Sequence, residues 1–359
     1  MIFSQLTLDI LINTTFVISM FMVFRLQSEP LEIRQDAGTF GPFIITLFAS
    51  LMLGLYDIGY GVSGDRELYA ANFLSHVNYD ISWEEVLAAD EWAFQSWMHF
   101  MSFLGDAQYW LICTALIYAF NYYVVAKRVA PNHVFLMLVT MFTSFGFVTY
   151  GTNTIRAGFA LSFVLIAMTY YEKMAVSLLI LFLAYNIHHS TAIPMGAFLL
   201  ARYWNRPKFF YYFWFFCVVL SAVAGSYFTT LFSSLGQDFD NRVDYLTTTD
   251  THYNVGFRLD FVLFSCLPII VGYLYQQRYE YKDQFYSILH STYIIANAFW
   301  VLVIRANFSD RFAYLSWFLY ALVMMYPLLD QPDLFPNVGK KAALTLFIIS
   351  GFTYYMYLK

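Results

Sequence analysis

Two kinds of residue in this chain have the type and spacing to do chemistry. The first is a set of arginines, Arg66, Arg156, Arg242, Arg258, Arg305 and Arg311, in segments that carry no lysine apart from the terminal Lys359. The remaining loops hold Arg25, Arg34, Lys127, Arg128, Lys173, Arg202, Arg206, Lys208, Arg278, Lys282, Lys340 and Lys341. Six of the seven lysines thus fall on one side of the alternation. A guanidinium binds phosphate through a planar fork and keeps its charge when desolvated, so the lysine-free set predicts a site for a diphosphate-bearing ligand. The competing reading pairs these arginines with neighbouring acids, as Asp65 with Arg66, Asp240 with Arg242 and Asp310 with Arg311. Arg156 and Arg305 have no acid close in sequence and sit at the edges of apolar runs, which favours the ligand role for those two.

The second kind is histidine. His188 and His189 interrupt an apolar stretch, and an ionisable side chain at membrane depth points to function. Imidazole takes up or gives a proton near neutral pH, which suits it to activate a hydroxyl. The alternative is a helix-tip histidine satisfied by a backbone carbonyl or an interfacial water. The other histidines (His76, His99, His133, His252 and His290) show no metal-ligand spacing. No HExxH, CxxC or GxSxG motif is present, so a hydrolase or metal enzyme has no support and no metal or cofactor is expected. Cys113, Cys217 and Cys266 lie in apolar runs and read as small buried hydrophobes.

The elements that must hold these residues are set by composition. Of 359 residues, 60% are apolar and 12% charged, with a mean hydropathy of +0.56. A soluble domain carries about 25% charged residues, so this is an all-α polytopic membrane protein, not a cytosolic enzyme, a nucleic-acid binder or a secreted domain. Apolar runs over 5–24, 40–57, 107–126, 131–150, 155–171, 209–228, 257–275, 285–304, 312–329 and 342–358 are candidate spans. Together with the stretch 174–201 they predict about 11–12 transmembrane helices in one integral membrane domain over 1–359. No cleavable leader is expected. The lysine-rich loops are placed in the cytoplasm by the positive-inside rule, which puts the arginine set and the loops 57–106 and 229–256 on the outer face.

The stretch 174–201 has basic residues at both ends, Lys173 on one side and Arg202 with Arg206 on the other. It is therefore expected to leave and return to the cytoplasmic side as a half-depth hairpin whose arms of about 14 residues reach about 21 Å. Its tip, Asn186-Ile-His188-His189-Ser190, would lie at membrane depth, which is tolerated where it lines an enclosed cavity. Ser190 suits an N-cap, and Pro194 falls in the first turn of the second arm. That helix start would favour an anion beside the histidines.

The 57–106 loop holds nine acids (Asp57, Asp65, Glu67, Asp80, Glu84, Glu85, Asp90, Glu91 and Asp106) against one base, Arg66. Its glycine-rich opening, Asp57 to Asp65, lacks the Lys-Ser/Thr ending of a phosphate loop. Asp65 and Glu67 are open between base, sugar contact and cation ligand. Trp83, Trp92 and Trp97 lie among apolar residues at helical spacing, predicting interfacial helices. These tryptophans read either as an aromatic belt or as stacking surfaces for sugar rings.

Thr154-Ile155-Arg156-Ala-Gly-Phe-Ala-Leu, followed by His188-His189-Ser190-Thr191-Ala192, resembles the EpsG branch of the Wzy-type polysaccharide polymerases. That branch has an Ile-Arg-Gln helix start and a later His-x-Ser segment, with an earlier Asp-x-x-x-Tyr matched by Asp65 and Tyr69 and a late acid–Arg pair matched by Asp310-Arg311. Ala157 stands where Gln is common, and the doubled histidine is aligned on His188 so that Ser190 falls two residues later. The resemblance spans roughly residues 50–330. It implies a GT-C-like helical core and a glycosyltransferase of the bacterial inner membrane that polymerises undecaprenyl-diphosphate-linked oligosaccharide repeat units at the periplasmic face. The lipid bilayer and the lipid-linked donor and acceptor are then its partners, with room for a chain-length regulator protein and none for nucleic acid. On this reading Arg156 and Asp65 join His188 as catalytic residues, while Arg305, Arg311, Arg258, Arg66, His189, Ser190 and Tyr69 bind substrate. A diphosphate is its own leaving group, so the reaction needs positive charge on it and a base for the acceptor hydroxyl, and inversion at the anomeric carbon follows. Two alternatives stay open: an O-antigen ligase using the same donor, and a lipid-linked oligosaccharide transporter or flippase. Against the latter, no internal repeat relates two halves of the chain.

Overall fold

The computed structural model describes residues 2–28, 40–56, 58, 64–236, 257–306 and 309–358. Among these every regular element is a helix. In chain order they are α1 (Ile2–Ser28), α2 (Phe40–Gly54), α3 (Gly64–Asn78), α4 (Trp83–Leu87), α5 (Trp92–Ser102), α6 (Ala107–Val129), α7 (Val134–Phe142), α8 (Phe145–Thr152), α9 (Ile155–Thr169), α10 (Met174–Ile187), α11 (Ala192–Tyr203), α12 (Pro207–Gly236), α13 (Leu259–Gln277), α14 (Gln284–Leu302), α15 (Ser309–Trp317), α16 (Tyr320–Asp330) and α17 (Val338–Leu358). Short 3-10 turns cover His189–Thr191 and Pro332–Leu334.

The fold is that of an all-α polytopic membrane protein. Leu6–Ser28, Ala107–Val129, Pro207–Ala224, Leu259–Gln277, Gln284–Leu302 and Arg311–Asp330 are each long and apolar enough to cross a bilayer, while α2, α9 and α10 are shorter apolar helices. The run 131–150, expected as one span, is instead two helices, α7 and α8, bent by 63°. The break falls at Thr143-Ser144. Thr143 Oγ1 donates to Val139 O at 2.7 Å, Ser144 Oγ donates to Met141 O at 2.6 Å, and Phe147 N–H returns to Ser144 Oγ at 3.4 Å. Ser144 thereby caps α8, offering an acceptor to the Phe147 N–H, a first-turn group with no partner within its own helix. The loop expected at 57–106 contains α3, α4 and α5. Of the loop expected at 229–256, the first part continues α12 to Gly236, past an irregular Ala224, and 237–256, with Asp240 and Arg242, lies outside the described residues.

The chain divides into two units, Met1–Thr191 with Met325–Lys359, and Ala192–Met324. In the first, α1 lies against α17, where Phe16 stacks on Tyr354 at 4.2 Å and the Tyr354 hydroxyl donates to Asn13 Oδ1 at 3.1 Å. The Tyr357 hydroxyl bonds Asp9. Asp106 caps α6 by accepting from Tyr109 N–H at 2.8 Å, and Lys127 and Arg128 at its far end suit the negative end of the helix dipole. Helix α5 buries Phe94, Met98 and Met101, one helical face, against Trp110 and Leu111 of α6 and against Tyr69 and Phe73 of α3. This cluster continues through Ile155, Phe159 and Ile187, so one apolar core lies beneath the ends of α5, α9 and α10.

The second unit is pinned by polar bonds between apolar helices. Trp214 Nε1 donates to Asn297 Oδ1 at 2.8 Å, Asn297 Nδ2 to Ser316 Oγ at 2.9 Å and Trp317 Nε1 to Ser265 Oγ at 2.7 Å. The Tyr286 hydroxyl donates to Val323 O at 3.1 Å. That carbonyl is the one Pro327, four residues on in α16, has no N–H to satisfy.

Close approach of α8 and α9 depends on Gly158, where a Cβ would stand 2.5 Å from Tyr150 Cβ and 2.9 Å from its carbonyl oxygen. Gly158→Ala is expected to cost about 1–3 kcal/mol by overpacking and to lower the thermal midpoint of the purified protein. Gly196→Ala, with nothing within 4 Å of its Cβ position, should leave the midpoint unchanged or raised. Equal midpoints for the two variants would contradict this packing.

Candidate functional site

Three helix ends of the first unit meet at one carboxylate. Glu91 stands at the N-cap position of α5 but makes no side-chain bond to that helix. One oxygen, Oε2, pairs instead with Arg156 Nη1 in the first turn of α9. The other, Oε1, lies 2.7 Å from His188 Nδ1, just beyond the end of α10, and accepts the backbone N–H of His189 at 3.1 Å. The side chains of Arg156, Glu91 and His188 are 23%, 11% and 5% exposed, so the group is sheltered, with Arg156 the most open to solvent.

Local sequence explains how each is held. Helix α10 ends because His188 is extended (φ −159°, ψ 115°), its N–H closing the last turn on Ala184 O. The 3-10 turn that follows is tied by Thr191 Oγ1 donating to His188 O at 2.7 Å. Arg156 sits near the positive end of the α9 dipole, an unfavourable place for a cation unless an anion neutralises it. Its guanidinium also lies over the rings of Tyr69 and Phe94, at 5.8 and 5.7 Å. Helices α9 and α10 run antiparallel. Ser177 Oγ donates to Ala167 O at 2.9 Å toward one end, and Glu91 bridges Arg156 and His188 at the other. Lys173 precedes α10, and Arg128 bonds Thr169 at the end of α9, so these basic residues lie at the opposite end of the pair from the site.

Burial pushes the Glu91 carboxyl up, but the hydrogen bond from His188, the charges of His188 and Arg156 and the His189 N–H outweigh it and hold it at about 2. Glu91 is therefore ionised at neutral pH. An ionised carboxylate only accepts, so His188 Nδ1 carries a hydrogen toward it and Nε2 is the ring nitrogen left to face a substrate. The arrangement is an oriented imidazole beside an anchored guanidinium, which can accept a proton from a hydroxyl and stabilise an anion.

Of the residues the sequence singled out, Arg156, His188 and Tyr69 are brought together, and His189 joins through its backbone. The His189 ring stacks on Tyr185 at 4.5 Å, which makes His188, not His189, the imidazole bound to the carboxylate. Ser190 is half-buried in the same turn, and Asp65 is half-buried in the first turn of α3, four residues before Tyr69. Arg66 is elsewhere. It is 1% exposed and donates to the carbonyls of Leu53, Gly54, Tyr56 and Gly151 at 3.2, 3.3, 2.6 and 3.5 Å. A guanidinium so occupied ties the end of α2 to α8, and the ligand contact expected of Arg66 is replaced by this capping. In the second unit Arg258 pairs with Asp260 at 2.6 Å and lies 3.9 Å from the Phe261 ring. Arg305 donates to Ala222 O at 3.2 Å, and Arg311 is half-buried in the first turn of α15. The side chain of Asp310, expected beside Arg311, lies outside the described residues. Among the described residues no group of three or more His, Cys, Asp and Glu side chains is arranged to hold a metal ion.

Glu91 is the residue the sequence did not single out among nine acids. Its partners lie 97 residues away at His188 and 65 away at Arg156, beyond any local spacing rule. No local signal separates it from Asp90, which precedes the same apolar face and has no base near it either.

A model of the EpsG family matches residues 42–358, nearly the whole chain. The chain belongs to the EpsG family. It is therefore a polysaccharide polymerase-like, multi-pass membrane protein. No curated protein and no solved structure matches it. The EpsG match takes in all three helix ends that meet at Glu91.

Glu91→Gln keeps the shape and removes the charge. Because the folded carboxyl lies at about 2, below its ordinary 4.5, the stability it contributes is complete above pH 4.5 and lost as the pH falls toward 2. Wild type should melt above Glu91→Gln from pH 5 to 7, and the two midpoints should converge as the pH falls from 4.5 toward 2. Midpoints that coincide at pH 7 would show that the carboxylate does not hold the site together.

Proposed function

We propose that this protein joins oligosaccharide repeat units carried on a lipid diphosphate, undecaprenyl diphosphate in a bacterial inner membrane, with its site toward the periplasm or cell exterior. The observation that carries the proposal is the single carboxylate bound to both Arg156 and His188. In the reaction, an acceptor hydroxyl oxygen attacks the anomeric carbon of the donor glycan. The bond from that carbon to the diphosphate oxygen breaks, and the lipid diphosphate leaves with the electron pair. His188 Nε2 takes the hydroxyl proton and passes it to solvent. Arg156, held by Glu91 through one nitrogen, presents the rest of its fork to the departing diphosphate. Attack from the face opposite the leaving group inverts the anomeric centre. His189, Ser190, Tyr69 and Asp65, in the same unit, are proposed as further contacts to diphosphate or sugar, and Arg258, Arg305 and Arg311 are proposed as substrate-binding residues of the second unit.

The outward placement is supported by the antiparallel pair, which carries the site at one end and Arg128 and Lys173 at the other. At 15 and 14 residues, α9 and α10 are about 21–23 Å long. That is shorter than a hydrocarbon core of about 30 Å, which suits a site recessed to meet a diphosphate at the lipid surface.

Purified protein in nanodiscs, given only a lipid-diphosphate-linked repeat unit and no ion gradient, is expected to produce a ladder of longer glycans. His188→Ala should slow extension by about 10²–10⁴ fold, and Arg156→Ala by about 10²–10³ fold. A ligase would make no ladder from this substrate and a transporter would make no new bond. Full ladders from folded His188→Ala and Arg156→Ala protein would refute the assignment.

A further inference from the structure

A second cluster of titratable side chains lies away from the Glu91 site, between α3 and α5. His76 Nδ1 is 3.3 Å from His99 Nδ1, and His76 Nε2 is 3.0 Å from Gln95 Oε1. His99 is 3% exposed, with Trp83 of α4 meeting its ring edge-on at 4.6 Å and Phe103 doing so at 4.9 Å. His76 is half-buried, so solvent protons reach the pair through it.

We infer that the His76–His99 pair is a proton-sensitive latch that fastens α3 to α5 and releases when both rings are charged. With Gln95 Oε1 accepting from His76 Nε2–H, the neutral His76 ring offers Nδ1 as acceptor to His99 Nδ1–H. One added proton preserves a bond, because the Nδ1–H of one ring still meets the lone pair of the other. A second proton turns both nitrogens into donors 3.3 Å apart, and the contact becomes repulsive.

The groups that touch the two rings, Trp83, Gln95 and Phe103, carry no charge, and the acids nearest in sequence, Asp80, Glu84 and Glu85, are exposed to solvent. From α3 there is His76 itself, from α4 Trp83, and from α5 Gln95 and Phe103. Helix α6 meets α5 through Trp110 and Thr114, neither of which titrates. On α4, Glu85 is engaged by Ser82 in a capping box. Burial and the neighbouring His76 both push His99 below its ordinary value of 6.5. The folded state therefore resists the second proton, and the stabilisation is complete above about pH 6.5 and lost as the pH falls below it.

The latch matters because of what the two helices carry. Helix α3 bears Tyr69, against the Arg156 guanidinium, and α5 begins next to Glu91. Glu91 itself, held at about 2, does not change charge between pH 7.5 and 5. His188, which bonds Glu91, is intact in a His76 variant, so a loss of order in α3 that such a variant abolishes is assigned to the His76–His99 pair.

The test is hydrogen exchange of the full-length protein in nanodiscs without substrate, at pH 7.5 and 5.0, with labelling times scaled for intrinsic exchange. Wild type is expected to lose about tenfold protection in peptides from α3 at pH 5.0. His76→Gln keeps a polar partner for His99 but takes no charge, and should be protected equally at both pH values. If that variant does not fold, His99→Phe, which fits the same aromatic surroundings, replaces it. Wild-type protection that is unchanged by pH, or an equal loss in the variant, overturns the inference. Because exchange is read without substrate, this outcome is independent of the polymerase reading, and a failed ladder assay leaves it standing.

Discussion

The Glu91 carboxylate is the constraint on which the rest of the site depends. Packing brings the start of α9 and the end of α10 near one another, and the carboxylate is the group that Arg156 and His188 both bond there. A cation at the positive end of a helix dipole is misplaced, and an imidazole at a chain break has many rotamers available. Glu91 forgoes capping its own helix and gives both oxygens to these two groups. The apolar cluster of Phe94, Ile155, Phe159 and Ile187 beneath it fixes the three helix ends, so the charged layer is positioned by a packed one.

This arrangement answers a difficulty specific to membrane proteins. Charges near the hydrocarbon are costly unless paired, yet a site for a diphosphate needs positive charge within reach of the lipid surface. Pairing Arg156 with Glu91 neutralises it at rest and still leaves it the most exposed member of the trio. Arg66 shows the opposite solution, a guanidinium 1% exposed and spent on backbone carbonyls at and just beyond the end of α2. The same residue type thus serves two purposes, Arg66 three residues before Tyr69 in α3 and Arg156 over the Tyr69 ring.

How much was legible in the sequence depends on the range of the interaction. Composition and apolar runs carried the all-helical membrane class, because hydropathy acts over a window of neighbouring residues. The break at His188 was legible, since two histidines and Ser190 interrupt an apolar stretch and Pro194 marks the next helix start. Arg156 stood out for having no nearby acid, and its acid proved to be one 65 residues away. Glu91 itself was hidden among nine acids, because nothing local distinguishes a bridging carboxylate from a solvated one. The bend in 131–150 was hidden for a related reason: Thr143 and Ser144 read as ordinary members of an apolar run until their hydroxyls are seen on backbone carbonyls. Asp65 next to Arg66 shows the limit of adjacency. Adjacency suggested a pair and gave no sign that the Arg66 guanidinium reaches the carbonyls of Leu53 and Gly54 in α2, Tyr56 just beyond it and Gly151 in α8.

The most direct measurement is a kinetic double-mutant cycle on Glu91 and His188, reading the extension rate of a lipid-diphosphate-linked glycan by purified wild type, Glu91→Gln, His188→Asn and the double variant. If the carboxylate acts by orienting the imidazole, the double variant extends no more slowly than His188→Asn alone. If the two losses multiply, Glu91 and His188 work independently and the account of one shared catalytic group is contradicted.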